Sequence, residues 1–336
     1  MSSILSMFTV LLVMKVFVYI LLLAQFTVFS QSSDFEKGEA YYNKSEWKTA
    51  KPYFLKALKK DVNNLKTQEY LGDIAAYSKN WDEALRYYKP LVLKDNNNAT
   101  YQFKYGGVLA YKAQASNKLK ALTLVGDIKK HLHKAAELDA QHIEVRWALV
   151  EIYISLPGIV GGSEEKAQYY ADELLQLSEV DGHLALGYVA EYNDRPQDAE
   201  FHYKKAIKIG GSEHTYTKLS GLYEKTNQPE KALSNYEVAS EKLQRNHLNY
   251  LIGKVSAQYN ISIDKGLACL QRYIKNYSEK DGVPKSWANY RIAQIYRYKS
   301  DKRNAYNYIQ KALLEKPDLK DAQKEKALIL KMKSAE

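Results

Sequence analysis

The chain has one cysteine in 336 residues, so no internal disulfide framework can form. Cys269 lies in the helix-like stretch GLACLQRYI and reads as a small buried hydrophobe, not as a nucleophile. Proline is scarce at seven residues, which leaves long stretches free to be helical. There is no HExxH, GxSxG, paired-carboxylate motif or glycine-rich nucleotide loop. The sequence therefore assigns no catalytic residue, no metal ligand and no cofactor. Acids are fewer than bases, giving a formal net charge of +10. The lysines are nevertheless spread among acids, which describes a solvated surface better than a nucleic-acid-binding face. Apolar residues make up 46% of the chain and charged ones 26%, a globular composition and not a disordered one.

What is abundant is tyrosine, 29 in all, and it recurs in a frame. From a small residue, steps of 12, 16 and 19 reach Ala, an aromatic or apolar residue, and Ala again. Gly38, Ala50, Phe54 and Ala57 fit, as do Gly187, Ala199, Tyr203 and Ala206. Ser220, Ala232, Tyr236 and Ala239 follow the same steps, and so do Ala293, Ala305, Ile309 and Ala312. Gly72, Ala84 and Tyr88 fit with Leu91 in the last place, and Gly38, Gly72 and Gly106 are each 34 residues apart. Each frame spans two short amphipathic helices that cross at small residues. Such a pair cannot bury its apolar face alone and needs similar pairs beside it.

This pattern resembles the tetratricopeptide repeat family, over roughly residues 33–317. The likeness is to exported bacterial members of the kind found in Bacteroidota. The resemblance implies an all-α, right-handed superhelical solenoid of about eight helix-turn-helix repeats, sharing one continuous core, with a capping helix at the C-terminus.

Along the chain, residues 1–30 carry a long apolar run without an acid. From Met14, an alternative start, the segment MKVFVYILLLAQFTVFS has the charged beginning and short apolar centre of a secretory signal peptide. Cleavage at Ser30–Gln31 would export the protein to the periplasm or beyond, whereas a retained leader would be an anchor. The repeat array then occupies 31–317. Within it lies a lengthened hairpin at 107–140, where Ala135 is 29 residues from Gly106 instead of 19. The basic segment 112–134 carries Leu119, Leu122, Val125, Ile128 and Leu132 as a stripe. It reads first as a long helix packed on its neighbours, and second as an element touching a membrane surface or an acidic partner. His131 and His133 are two apart on a helix and would diverge as metal ligands. A long loop at 156–163 is turned by Pro157-Gly158 and Gly161-Gly162 and can end on a Ser163 cap. Residues 318–336 form the capping helix and tail.

The expected function is a non-catalytic exported scaffold that binds a protein or peptide partner, as yet unidentified, in its groove. A periplasmic protein that binds a small molecule or lipid and associates with a transporter is the alternative. In the resembling family the first helix of each pair lines the inner face. Positions one and five after the small residue, and two and three before it, should then face a partner. They give Phe35, Glu36, Glu39 and Asn43 in repeat one, and Glu69, Tyr70, Asp73 and Tyr77 in repeat two. Towards the other end they give Lys218, Lys225, Lys254, Tyr290, Arg291 and Tyr298, with Arg297 adjacent. The groove is expected to be acidic near the N-terminus and basic near the C-terminus. The carboxylate clamp of some relatives is not expected, because Glu39 and Asp73 stand where its asparagines would be.

Overall fold

The computed structural model describes residues 33–333, so the leader lies outside the described residues. Among the described residues there are seventeen α-helices and no strand. No described helix is long and apolar enough to cross a membrane. The chain divides into two compact units at Leu138–Asp139, where the sequence alone suggested one continuous array. The division falls at the end of the lengthened hairpin.

The first unit holds α1 (Asp34–Asn43), α2 (Trp47–Lys60), α3 (Leu65–Tyr77), α4 (Trp81–Lys94), α5 (Ala99–Gln114) and α6 (Lys118–Leu138). They pack as the consecutive pairs α1/α2, α3/α4 and α5/α6. The crossing residues explain the pairing. A Cβ built on Gly72 would stand 2.3 Å from the Tyr88 ring, so only glycine lets that ring lie against α3. Ala50, Phe54, Ala84, Tyr88 and Leu91 are buried, although Ala57 is only partly so. Loops repeat as well as helices. Asn64 and Asn98, 34 apart, accept from the backbone N–H of Thr67 at 2.8 Å and of Tyr101 at 3.1 Å. Each caps the helix that follows.

Repeat three keeps the frame with about ten residues added. Gly106 meets His131 and Leu132, and Ile128, Leu132 and Ala135 are buried. The apolar stripe of α6 divides along its length. Ile128 and Leu132 are core, whereas Leu119 is 79% and Leu122 44% exposed.

The second unit holds α7 (Ile143–Ser155), α8 (Glu164–Leu177), α9 (Glu179–Tyr192), α10 (Pro196–Ile209), α11 (Glu213–Lys225) and α12 (Pro229–Leu243). It continues with α13 (Asn246–Tyr259), α14 (Ile263–Lys275), α15 (Lys285–Tyr298), α16 (Lys302–Glu315) and α17 (Lys320–Leu330). Five pairs are closed by α17, which packs Ala322 and Ile329 against Ala293, Ala305 and Ile309. The connection between α7 and α8 contains a single turn of tight helix at Gly158–Val160. A Cβ on Gly162 would lie 1.7 Å from the Leu156 carbonyl oxygen, so that turn admits only glycine. Ser163 then caps α8 through the Lys166 N–H at 3.2 Å.

Candidate functional site

The first helices of the first unit, with α4 and the loop before it, line a cavity of about 600 Å3. Its walls are the aromatic rings of Tyr42, Tyr77, Trp81, Tyr88, Phe103 and Tyr111. Asp73, Ala76, Lys79, Lys104, Gly107 and Val108 complete the lining. The repeat frame accounts for this composition. Gly107 lies 34 residues beyond Asp73 and 68 beyond Glu39, at the same frame position. A Cβ at Gly107 would meet nothing within 4 Å, so the missing side chain is open space facing the cavity.

Two rings are held out towards solvent by stacking. Trp47 stacks on Tyr77 with centroids 3.9 Å apart, and Trp81 stacks on Tyr111 at 5.2 Å. The two tryptophans are 34 residues apart, as are the two tyrosines. Tyr77 and Tyr111 remain 59% and 57% exposed, large apolar faces that are fixed in place yet uncovered. A ring held by a neighbour loses little freedom on meeting a ligand.

The polar floor is internally satisfied. The Asp73 carboxylate accepts from the hydroxyls of Tyr42 at 3.0 Å and Tyr88 at 2.5 Å, and from Lys104 Nζ at 2.9 Å. Lys104 also donates to Glu69 at 2.6 Å, and Glu69 takes Lys66 at 3.1 Å. Tyr70 donates to Glu39 at 2.7 Å. Burial works against the Lys104 ammonium, but Asp73 and Glu69 outweigh it and hold its pKa above the ordinary value. Burial likewise works against the Glu69 carboxylate, and the lysines overcome it and hold its pKa below the usual range. Burial and the neighbouring Asp73 raise the pKa values of Tyr42 and Tyr88, so both hydroxyls stay protonated as donors.

The residues singled out from sequence thus separate into three groups. Asp73 and Tyr77 line the cavity, with Tyr42 and Lys104 tied to the same floor. Glu39, Glu69 and Tyr70 belong to the adjoining network, in which Glu69 is paired with Lys104 and Lys66 and Glu39 accepts from the Tyr70 hydroxyl. In the second unit most of the expected basic positions are engaged. Lys254 pairs with Glu224 at 3.1 Å, and Lys225 lies 3.6 Å from Glu191. Lys218 sits 5.6 Å from the Tyr188 ring centroid. Arg297 pairs with Glu325 of α17 and lies over the Tyr298 ring. Tyr290 is buried, with the Arg291 guanidinium over its ring at 4.9 Å. Arg291 donates to Gln294 at 2.9 Å and Gln258 at 3.5 Å, both neutral groups.

Phe103, Lys104, Gly107 and Tyr111 were not named from sequence. They occupy in repeat three the frame positions that gave Glu69, Tyr70, Asp73 and Tyr77 in repeat two. The displaced second helix obscured a first helix that was in register.

Comparison with known proteins bears on the fold. No family model matches the sequence, and no curated protein does. Among solved structures, the chain is similar to a tetratricopeptide repeat protein from Parabacteroides merdae. The TM-score is 0.53 at 14% identity, over 88% of this chain and 97% of that one. A thermophilic tetratricopeptide repeat protein of Thermus thermophilus aligns with TM-score 0.47 and 14% identity, over 56% of this chain and 96% of the other. The tetratricopeptide repeat protein YrrB, described as having an unusual peptide-binding site, aligns with TM-score 0.40 and 20% identity, over 58% and 97%.

Proposed function

We infer from the tetratricopeptide repeat fold of this chain that it is a non-catalytic scaffold which binds a peptide segment of a partner protein. The observation that carries this reading is the aromatic cavity of the first unit, where six rings surround about 600 Å3. Rings pre-positioned by stacking offer a large apolar area at low entropic cost. The only lining charges are Asp73, Lys79 and Lys104, and two of these neutralise each other. The favoured occupant is therefore an extended peptide that seats an apolar side chain between Tyr77 and Tyr111. Backbone polar groups of the peptide would remain at the open rim.

The test is a peptide-array screen with the full chain, followed by Tyr77→Ala and Tyr111→Ala. Both side chains are mostly exposed, so the fold should persist. Selected peptides should carry an apolar residue, and each variant should weaken their binding by about tenfold or more, the scale of one lost aromatic anchor. Unchanged affinity in both variants would sink the reading. A small molecule or lipid that co-purifies and fills the cavity, seen by native mass spectrometry, would favour the alternative of a transporter-associated ligand binder. The volume lies within the usual range for small-ligand sites.

We also propose that the protein acts after export, most simply in the periplasm. The support is the charged and then apolar pattern from Met14 to Ser30. Mature protein should begin at Gln31, and N-terminal sequencing that finds earlier residues on membrane-held protein would overturn this.

A further inference from the structure

A second cavity of about 650 Å3 lies between α4, α5 and α6 of the first unit. It shares no lining residue with the aromatic cavity. Its cations come from two helices: Lys89 from α4, and Lys130 and Lys134 from α6. Glu137 is the one acid in the lining, and its carboxylate is 3.9 Å from Lys134, at the outer limit of an ion pair. Lys89 and Lys130 have no carboxylate partner among the described residues. Three ammonium groups facing one space repel each other. An anion between them would relieve that repulsion.

The floor below the lysines is built from neutral hydrogen-bonding groups. Gln102 is 1% exposed, and its amide nitrogen donates to the Asn96 carbonyl at 2.8 Å and to Asn96 Oδ1 at 2.9 Å. Its amide oxygen must then accept, and His131 Nδ1 stands 2.6 Å from it. That contact fixes the proton of the neutral imidazole on Nδ1. The His131 ring meets Tyr105 edge-on at 4.8 Å, so its orientation is set from two sides. Val92, Leu93 and Tyr105 give the cavity an apolar wall.

We propose that this cavity binds a small soluble phosphate monoester, with its phosphate among Lys89, Lys130 and Lys134 and its organic part against Val92, Leu93 and Tyr105. Compact ammonium charges without an arginine fork suit a dianionic phosphate better than a planar carboxylate, which gains from bidentate pairing. The volume fits a small molecule. The residues added to the third hairpin carry Lys130, His131 and Lys134 to this position.

The experiment titrates the full chain with phenyl phosphate, inorganic phosphate, benzoate and vesicles containing phosphatidic acid, by calorimetry. Phenyl phosphate should bind saturably and more tightly than benzoate, and added salt should weaken it. Lys130→Ala with Lys134→Ala should weaken it by about tenfold or more, as removing two facing charges implies. Circular dichroism would confirm that the double variant is folded. Leu93→Ala, at an exposed wall residue, should weaken phenyl phosphate while leaving inorganic phosphate unchanged. Tyr77→Ala should leave both unchanged, which separates this site from the aromatic cavity. No saturable binding of phenyl phosphate, equal binding by the folded double variant, or tighter binding of benzoate would each overturn the proposal. Binding to the vesicles alone would also overturn it, because the ligand would then be a lipid surface.

Discussion

At Asp73 a single carboxylate ties α1, α4 and α5 to α3 through Tyr42, Tyr88 and Lys104. Such a hub is costly to break, because each partner left behind is a partly buried polar group. Lys104→Met should leave Asp73 and Glu69 without their shared cation. It should cost about 1–3 kcal/mol, below the range for a fully buried pair because the lysine keeps some contact with water. Urea unfolding checks this. Glu69 adds a pH dependence whose sign follows from its depressed pKa. Its contribution is fully present above its ordinary value of 4.5 and is lost as pH falls through the lower folded value. Unfolding midpoints of the parent and Glu69→Gln should therefore converge on acidification below about pH 4.5. A gap that stays constant down to complete acid unfolding would show that the carboxylate charge is not what stabilises. Lys104 works in the opposite sense, with its contribution intact below 10.5 and lost as pH rises through its raised value.

At the scale of elements, each helix pair depends on close approach at small residues. Ala199, Ala206 and Ala232 are fully buried at such crossings. Leucine at any one of them should overpack the pair and cost about 1–3 kcal/mol, seen as a lower unfolding midpoint. The closing helix α17 is held by apolar packing and by one ionic contact. Glu325 is 3% exposed and pairs with Arg297. Removing the arginine would strand a buried carboxylate, so Arg297→Ala should destabilise the end of the array by about 2 kcal/mol or more. Adding Glu325→Met should recover part of that loss, because no unpaired charge then remains. If the double variant is less stable than Arg297→Ala, the pair is not acting through buried charge. From sequence, Arg297 is expected beside the groove positions at its basic end. Its guanidinium is already in use, and Arg291, with neutral partners only, is the basic group left at that end.

For the whole molecule, two kinds of surface imply two responses to salt. Peptide binding to the aromatic cavity should change little between low and physiological ionic strength, because Asp73 and Lys104 compensate each other. Phosphate binding to the lysine cavity should fall steeply over the same range, because the screening length of exposed charges shortens from about 30 Å at 0.01 M salt to about 8 Å at physiological salt. Paired titrations of one protein sample would read both. If the two salt dependences match, one of the two sites has been assigned the wrong chemistry.

The helix pairs, the number of repeats and the crossing residues were determined by the sequence alone. Gly72, Ala84 and Tyr88 stand at local spacings that a helix turns into one face, so periodicity carries that information. The ten extra residues of repeat three were legible too, as a displaced Ala135. Which groove residues are free was decided only by tertiary structure. Tyr42 and Asp73 are 31 residues apart, Glu69 and Lys104 are 35, and Arg297 and Glu325 are 28. A repeat frame states which way each side chain points, but not whether its charge is met by a neighbour one repeat away. That meeting turned an expected acidic groove into a satisfied floor beneath an aromatic cavity. The lysine cavity likewise exists only because packing brings the end of α4 to the lengthened α6, a proximity that no local spacing encodes.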